Sequence, residues 1–183
     1  MRRSMIFMPG NNPGMLLNAD ILGADAAILD LEDAVSPAEK DAARILVRNA
    51  IKTLKYKCEV CVRINSIDTT FWKEDLEEIL PLAPDLIMPP KISTAQDVLV
   101  VDAYMTELEK KHGMEVGTVK LIPLIETALG VENAYAIASS CPRVAAMLLG
   151  GEDLTADLQC KRTKEGKEIF YSRSRMVVAA RAA

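Results

Sequence analysis

The chain has 183 residues, 50% hydrophobic, 4% aromatic and 26% charged, with a formal net charge of −4. That length allows a substantial core, and the acidic balance without any long Lys/Arg block argues against a nucleic-acid surface, whose binding energy comes largely from phosphate neutralisation. No stretch approaches the roughly 20 apolar residues of a membrane helix, and the N-terminus leads into a strand-like run ended by Pro9 and Gly10, not into a signal-peptide core, so a cytoplasmic protein with small-molecule partners is expected.

From the N-terminus onward, short apolar runs at residues 5–8, 26–31, 60–64, 86–88, 120–125 and 144–149 read as buried strands. Stretches of helical periodicity, such as 38–54, 72–80, 95–111 and 128–138, separate them. Strand-to-strand spacings of about 20 to 35 residues suit right-handed βα units feeding a parallel sheet. A doubly wound sheet and a (β/α)8 barrel both fit that pattern. The barrel is favoured because polar residues of functional type are spread over several strand ends, and Pro9-Gly10-Asn11-Asn12-Pro13-Gly14 lacks the dinucleotide-binding G-x-G-x-x-G order. A barrel usually needs about 250 residues. The expected architecture is therefore a single TIM-type barrel domain over residues 1–183, truncated after about six βα units inside the helix that follows Ser172, with open edges that further sequence or another chain would cover.

Arg63, Glu126 and Asp153 each sit where an apolar run ends, in Val60-Cys61-Val62-Arg63, Leu124-Ile125-Glu126-Thr127 and Leu148-Leu149-Gly150-Gly151-Glu152-Asp153. Ligands in α/β folds bind at the carboxyl ends of strands, so two carboxylates and an arginine are expected at one mouth. The four cysteines carry less. Cys58 and Cys61 flank a strand, where residues three apart face opposite sides, and no second pair completes a metal site. His112, the single histidine, precedes Gly113 in a cationic last turn and reads as a helix terminus, which argues against a histidine-based triad.

Six motifs then occur in register: Arg3-Ser4-Met5-Ile6-Phe7-Met8-Pro9-Gly10, Leu29-Asp30-Leu31-Glu32-Asp33-Ala34-Val35, Val62-Arg63-Ile64-Asn65, Met88-Pro89-Pro90-Lys91, Leu124-Ile125-Glu126-Thr127 and Gly150-Gly151-Glu152-Asp153-Leu154. Their order and spacing resemble the citrate lyase β-subunit family of the HpcH/HpaI aldolase superfamily along the whole chain. The resemblance implies a magnesium-dependent (β/α)8 lyase, a trimer or a part of a larger lyase complex, that splits a citryl thioester into oxaloacetate and an acetyl thioester. It also implies a C-terminal region, not in this sequence, that contributes an acidic residue across a subunit interface.

Breaking the C2–C3 bond of a citryl thioester makes a ketone from the tertiary hydroxyl and an enolate from the departing carbon. A divalent ion with hard oxygen ligands suits the first task; Glu126 and Asp153 fit as its ligands and match those of the family. Arg63 offers a planar charged fork to a substrate carboxylate or to the enolate oxygen. Glu32 and Asp33, ranked above Asp30, are expected to fix Arg63 or to accept bonds from metal-bound water. Gly150, Gly151 and Glu152 would let backbone approach a substrate carboxylate. Lys91 reads as a positioning charge, and the basic loop from Lys161 to Lys167 as a candidate contact for the phosphates of CoA or an acyl-carrier arm. The alternatives are a related malyl- or citramalyl-CoA lyase with the same metal site, and a truncated, non-catalytic subunit of a lyase complex.

Overall fold

In the computed structural model, residues 2–183 are described. Strands β1 (Met5–Pro9), β2 (Ala26–Asp30), β3 (Glu59–Arg63), β4 (Leu86–Met88), β5 (Lys120–Leu121), β6 (Leu124–Ile125) and β7 (Leu148–Leu149) alternate with helices α1 (Pro13–Leu17), α2 (Lys40–Thr53), α3 (Phe71–Ile79), α4 (Ala95–Lys111), α5 (Ala128–Glu132), α6 (Ala134–Ala138), α7 (Gly151–Asp157) and α8 (Phe170–Ala182). Two compact units are distinguished, Met1–Met88 with Tyr104–Lys120, and Pro89–Ala103 with Leu121–Ala183.

In the first unit, β1, β2, β3 and β4 pair in parallel and in sequence order, and the Lys120 amide at the start of β5 donates to the Asp85 carbonyl at 3.1 Å. Strictly sequential parallel neighbours are the arrangement of a TIM-type barrel; a doubly wound sheet reverses its order at a switch point. Every residue of β2 is buried, as expected for a strand covered on both faces. Helix α2 buries Ala43, Val47 and Ala50, an i, i+4, i+7 stripe. Pro37 opens the 3-10 turn that leads into it, and Leu54, extended, ends it by donating its amide to Ala50.

Helix α4 begins with a reciprocal cap. The Ser93 and Thr94 amides donate to the Asp97 carboxylate, and the Asp97 amide donates to the Thr94 hydroxyl. It ends as the sequence predicts: Gly113 adopts φ +67°, and the Met114 amide reaches the Glu109 carbonyl at 2.8 Å, a left-handed C-terminal turn that glycine enters without a Cβ penalty.

In the second unit β6 and β7 pair in parallel. The expected fifth strand over 120–125 is divided at Ile122-Pro123, because proline brings no N–H to a ladder. The pairing resumes beyond it: Leu124 donates to Pro89, Leu148 to Pro123 and Gly150 to Ile125. The expected helix over 128–138 is likewise divided at Asn133, whose side chain donates to the Ser93 carbonyl at 2.9 Å. No helix among the described residues is long and apolar enough to cross a membrane.

Candidate active site

Arg63 ends β3, in register with Asp30 at the end of β2. Side chains at paired positions of neighbouring strands share a face, and the two groups form a fork: Arg63 Nε donates to Asp30 Oδ1 at 2.7 Å and Nη2 to Oδ2 at 2.6 Å. Nη1 lies 3.0 Å from Glu32 Oε2 and 3.9 Å from Asp33 Oδ2. The guanidinium carbon lies 4.9 Å from the centre of the Phe7 ring. Burial works against the Arg63 charge, but the hydrogen bonds and charge of Asp30, with Glu32 and Asp33 behind them, hold its pKa above the ordinary value.

Two buried cations brace the segments around this cluster. Lys40 Nζ donates at 2.7 Å to both the Leu31 and Glu32 carbonyls, fixing the chain where it leaves β2. Burial lowers its pKa, and the Glu32 and Asp30 carboxylates oppose that shift. Just beyond Arg63, the Asn65 amide and side chain both donate to Asp75 Oδ2, and Arg44 Nε donates to Asp75 Oδ1 at 2.9 Å.

In the second unit, Glu126 follows β6 and is buried. The Lys91 amide donates to its Oε2 at 3.0 Å, from a backbone held at φ +56°. A Cβ on Gly150 would lie 2.5 Å from Oε1 of the same carboxylate. Gly150 is the residue that opens α7, and Asp153 lies in the first turn of that helix. Glu152, in the same turn, is exposed and pairs with Arg162 at 2.9 Å, and a Cβ on Gly151 would meet the Arg162 guanidinium.

Glu126 and Asp153 carry hard oxygens of the chemical type that magnesium takes. Magnesium is usually held by one or two protein carboxylates, with water and substrate filling the remaining positions. A glycine cradle that a Cβ would fill keeps the Glu126 carboxylate in place.

Sequence reasoning named Arg63, Glu32 and Asp33 together, and they are together. It ranked Asp30 last of the three acids, yet Asp30 makes the closest contact, because the strand register sets it directly beside Arg63. Glu126 packs against Gly150 on the side where a Cβ would point. The Lys91 amide and the Arg44–Asp75–Asn65 network were missed; the left-handed backbone at Lys91 has no signature in a non-glycine residue.

The profile of the HpcH/HpaI aldolase/citrate lyase family matches residues 3–183. The citrate lyase subunit beta of Leuconostoc mesenteroides subsp. cremoris is 45% identical over 184 residues, covering 100% of this chain and 61% of that protein. An L-malyl-CoA/beta-methylmalyl-CoA lyase of Cereibacter sphaeroides is 38% identical, over 92% of this chain and 55% of the relative. This chain thus spans about three-fifths of the length of such relatives. Among solved structures, a citrate lyase beta subunit from M. tuberculosis complexed with oxaloacetate and magnesium superposes with a TM-score of 0.77 at 30% identity, covering 97% of this chain and 73% of that one. Protein CitE from Mycobacterium tuberculosis with magnesium, acetoacetate and coenzyme A gives 0.78 at 32%, covering 100% and 64%. With the family profile spanning nearly every residue, the chain belongs to the HpcH/HpaI aldolase/citrate lyase family.

Proposed function

We propose that the protein containing this chain is a magnesium-dependent carbon–carbon lyase that splits a citryl thioester, carried on CoA or an acyl-carrier protein, into oxaloacetate and an acetyl thioester. The observation that carries this reading is the buried Glu126 carboxylate, held by the Lys91 amide against Gly150 at the opening of the helix that bears Asp153. Magnesium in complex with relatives of 30% and 32% identity supports the assignment of the metal.

Glu126 and Asp153 are the residues that would hold the ion. Bound there, it supplies Lewis-acid polarisation of the tertiary hydroxyl and the adjoining carboxylate. Arg63 is assigned to a substrate carboxylate or to the enolate oxygen, with a permanent charge that needs no proton transfer to act. Glu32 and Asp33 stand at its Nη1 end. The backbone at Gly150 and Gly151, beside Glu152, is assigned to a carboxylate of the oxaloacetate half.

The test is oxaloacetate release from citryl-CoA and citryl-acyl-carrier protein by the full-length protein, with and without magnesium. Release should require the ion and be abolished by Glu126→Ala; full activity of that variant would sink the proposal. The C. sphaeroides relative favours one second reading, a malyl-CoA-type lyase on the same metal ligands. Glyoxylate release from malyl-CoA outpacing oxaloacetate release from citryl thioesters would select it.

A further inference from the structure

We infer that Asp30 is a positioning residue for this lyase: it takes the Nε/Nη2 edge of Arg63 and leaves the Nη1 end, held by Glu32, as the part of the guanidinium that meets substrate. The inference rests on the role given to Arg63 above. A guanidinium offers five N–H donors in a fixed fork, and the edge best suited to bidentate binding of a carboxylate is already used by Asp30.

Asp30 is built as a fixed point. It is 1% exposed; besides the fork, its Oδ1 accepts the Glu32 amide at 2.9 Å and its Oδ2 the Ala34 amide at 3.1 Å. The Gly10 amide donates to its carbonyl at 2.8 Å, with no room there for a Cβ. Glu32 differs. It is also buried but stands beyond the strand end, with its Oε2 3.0 Å from Nη1, while Asp33 is farther off and half exposed. An incoming substrate carboxylate is chemically equivalent to the Glu32 carboxylate and replaces it at Nη1, while Asp30 keeps the plane and direction of the guanidinium. Glu32 is then a competitor for substrate and Asp30 a support, so the two acids have opposite effects on affinity.

Calorimetry with oxaloacetate as the probe, on the full-length magnesium-loaded protein, tests this. Asp30→Asn should weaken oxaloacetate binding roughly tenfold or more, the scale of supporting-residue effects at such sites. It should leave magnesium binding in the absence of oxaloacetate unchanged, a pattern that general loss of structure would not give. Glu32→Gln should tighten oxaloacetate severalfold. Equal weakening by both variants, or no change on Asp30→Asn, overturns the assignment. If Asp30→Asn does not fold, the unsubstituted protein decides by NMR: oxaloacetate should shift the Arg63 Nη resonances and leave Nε–H in place, and a displaced Nε–H overturns the proposal. Arg63→Lys separates the two readings. If it leaves oxaloacetate affinity unchanged, the role of Arg63 falls and that of Asp30 with it. If it lowers affinity while Asp30→Asn does not, the role of Asp30 falls alone.

Discussion

Glu126 occupies the space that a side chain on Gly150 would need: an added Cβ would stand 2.5 Å from Oε1 and 2.6 Å from Cγ of the glutamate. Gly150 has φ −85° and ψ 96°, a backbone conformation open to any residue, so glycine is required here for room and not for flexibility. Gly150→Ala should therefore push the Glu126 carboxylate aside without straining the chain. With Glu126 in its proposed role as a magnesium ligand, displacing it should cost roughly 10- to 100-fold in metal affinity, read by calorimetric titration with magnesium. Unchanged affinity would mean that Glu126 has another rotamer that serves equally well.

Lys91 holds φ +56°, and left-handed backbone costs a residue with a Cβ about 1–2 kcal/mol. Lys91→Gly removes that strain at the expense of a more flexible unfolded chain, about 0.5–1 kcal/mol, so its stability should match that of Lys91→Ala or exceed it by up to about 1 kcal/mol. Lys91→Val should lose stability, because a β-branched side chain tolerates this region worst. Urea denaturation measures both. The donor to Glu126 is the backbone amide, so Lys91→Gly should keep magnesium affinity, and any loss of turnover in that variant belongs to the ammonium group.

Strands and site differed in how far the sequence disclosed them. Apolar runs bounded by polar residues located β1 to β4 closely, since a strand buried on both faces has little choice of composition. The expected strand over 120–125 overlooked Pro123, whose missing N–H divides it into β5 and β6. Helix α4 was legible over 95–111 because its periodicity and its Gly113 terminus are local chemistry. The identity of Arg63's main partner was not. Whether Asp30, Glu32 or Asp33 faces the arginine depends on the register between β2 and β3, a relation between residues 33 apart that periodicity within one strand does not encode.

The Asp75 carboxylate ties three segments together. It is 1% exposed and receives Arg44 Nε, the Asn65 amide and the Asn65 side chain, linking α2 and α3 to the chain just past Arg63. Asp75→Ala would leave Arg44 Nε and the two Asn65 donors without their acceptor, while Asp41 and Glu74, each 2.9 Å from the guanidinium, stay paired with it. A buried donor left unsatisfied costs about 1–3 kcal/mol, and a loss of at least that size in the free energy of urea unfolding is expected. Replacing Arg44 as well, by Met, should recover part of it, because the orphaned Nε leaves with the arginine. No recovery in the double variant would assign the cost to the Asn65 contacts instead.

Alkaline pH should loosen the first unit through two groups near α1. Tyr56 donates its hydroxyl to the Leu16 carbonyl at 3.0 Å, and burial, with smaller contributions from Cys58 and Asp20, pushes its pKa from 10.0 to about 12. Burial, then the neighbouring Asp20, pushes the Cys58 thiol from 9.0 to about 11. Both groups are raised in the folded chain, so folding favours their protonated forms. The stability they contribute is complete below the unfolded values, about 9 for the thiol and about 10 for the phenol, and is lost as the pH climbs through 11 and then toward 12. Urea midpoints measured from about pH 8 upward should fall in that window. Cys58→Ala should flatten the earlier part of the fall and Tyr56→Phe the later part, the phenylalanine also starting about 1 kcal/mol lower for its lost hydrogen bond. An alkaline slope identical in both variants and the unsubstituted protein would assign the loss to other groups.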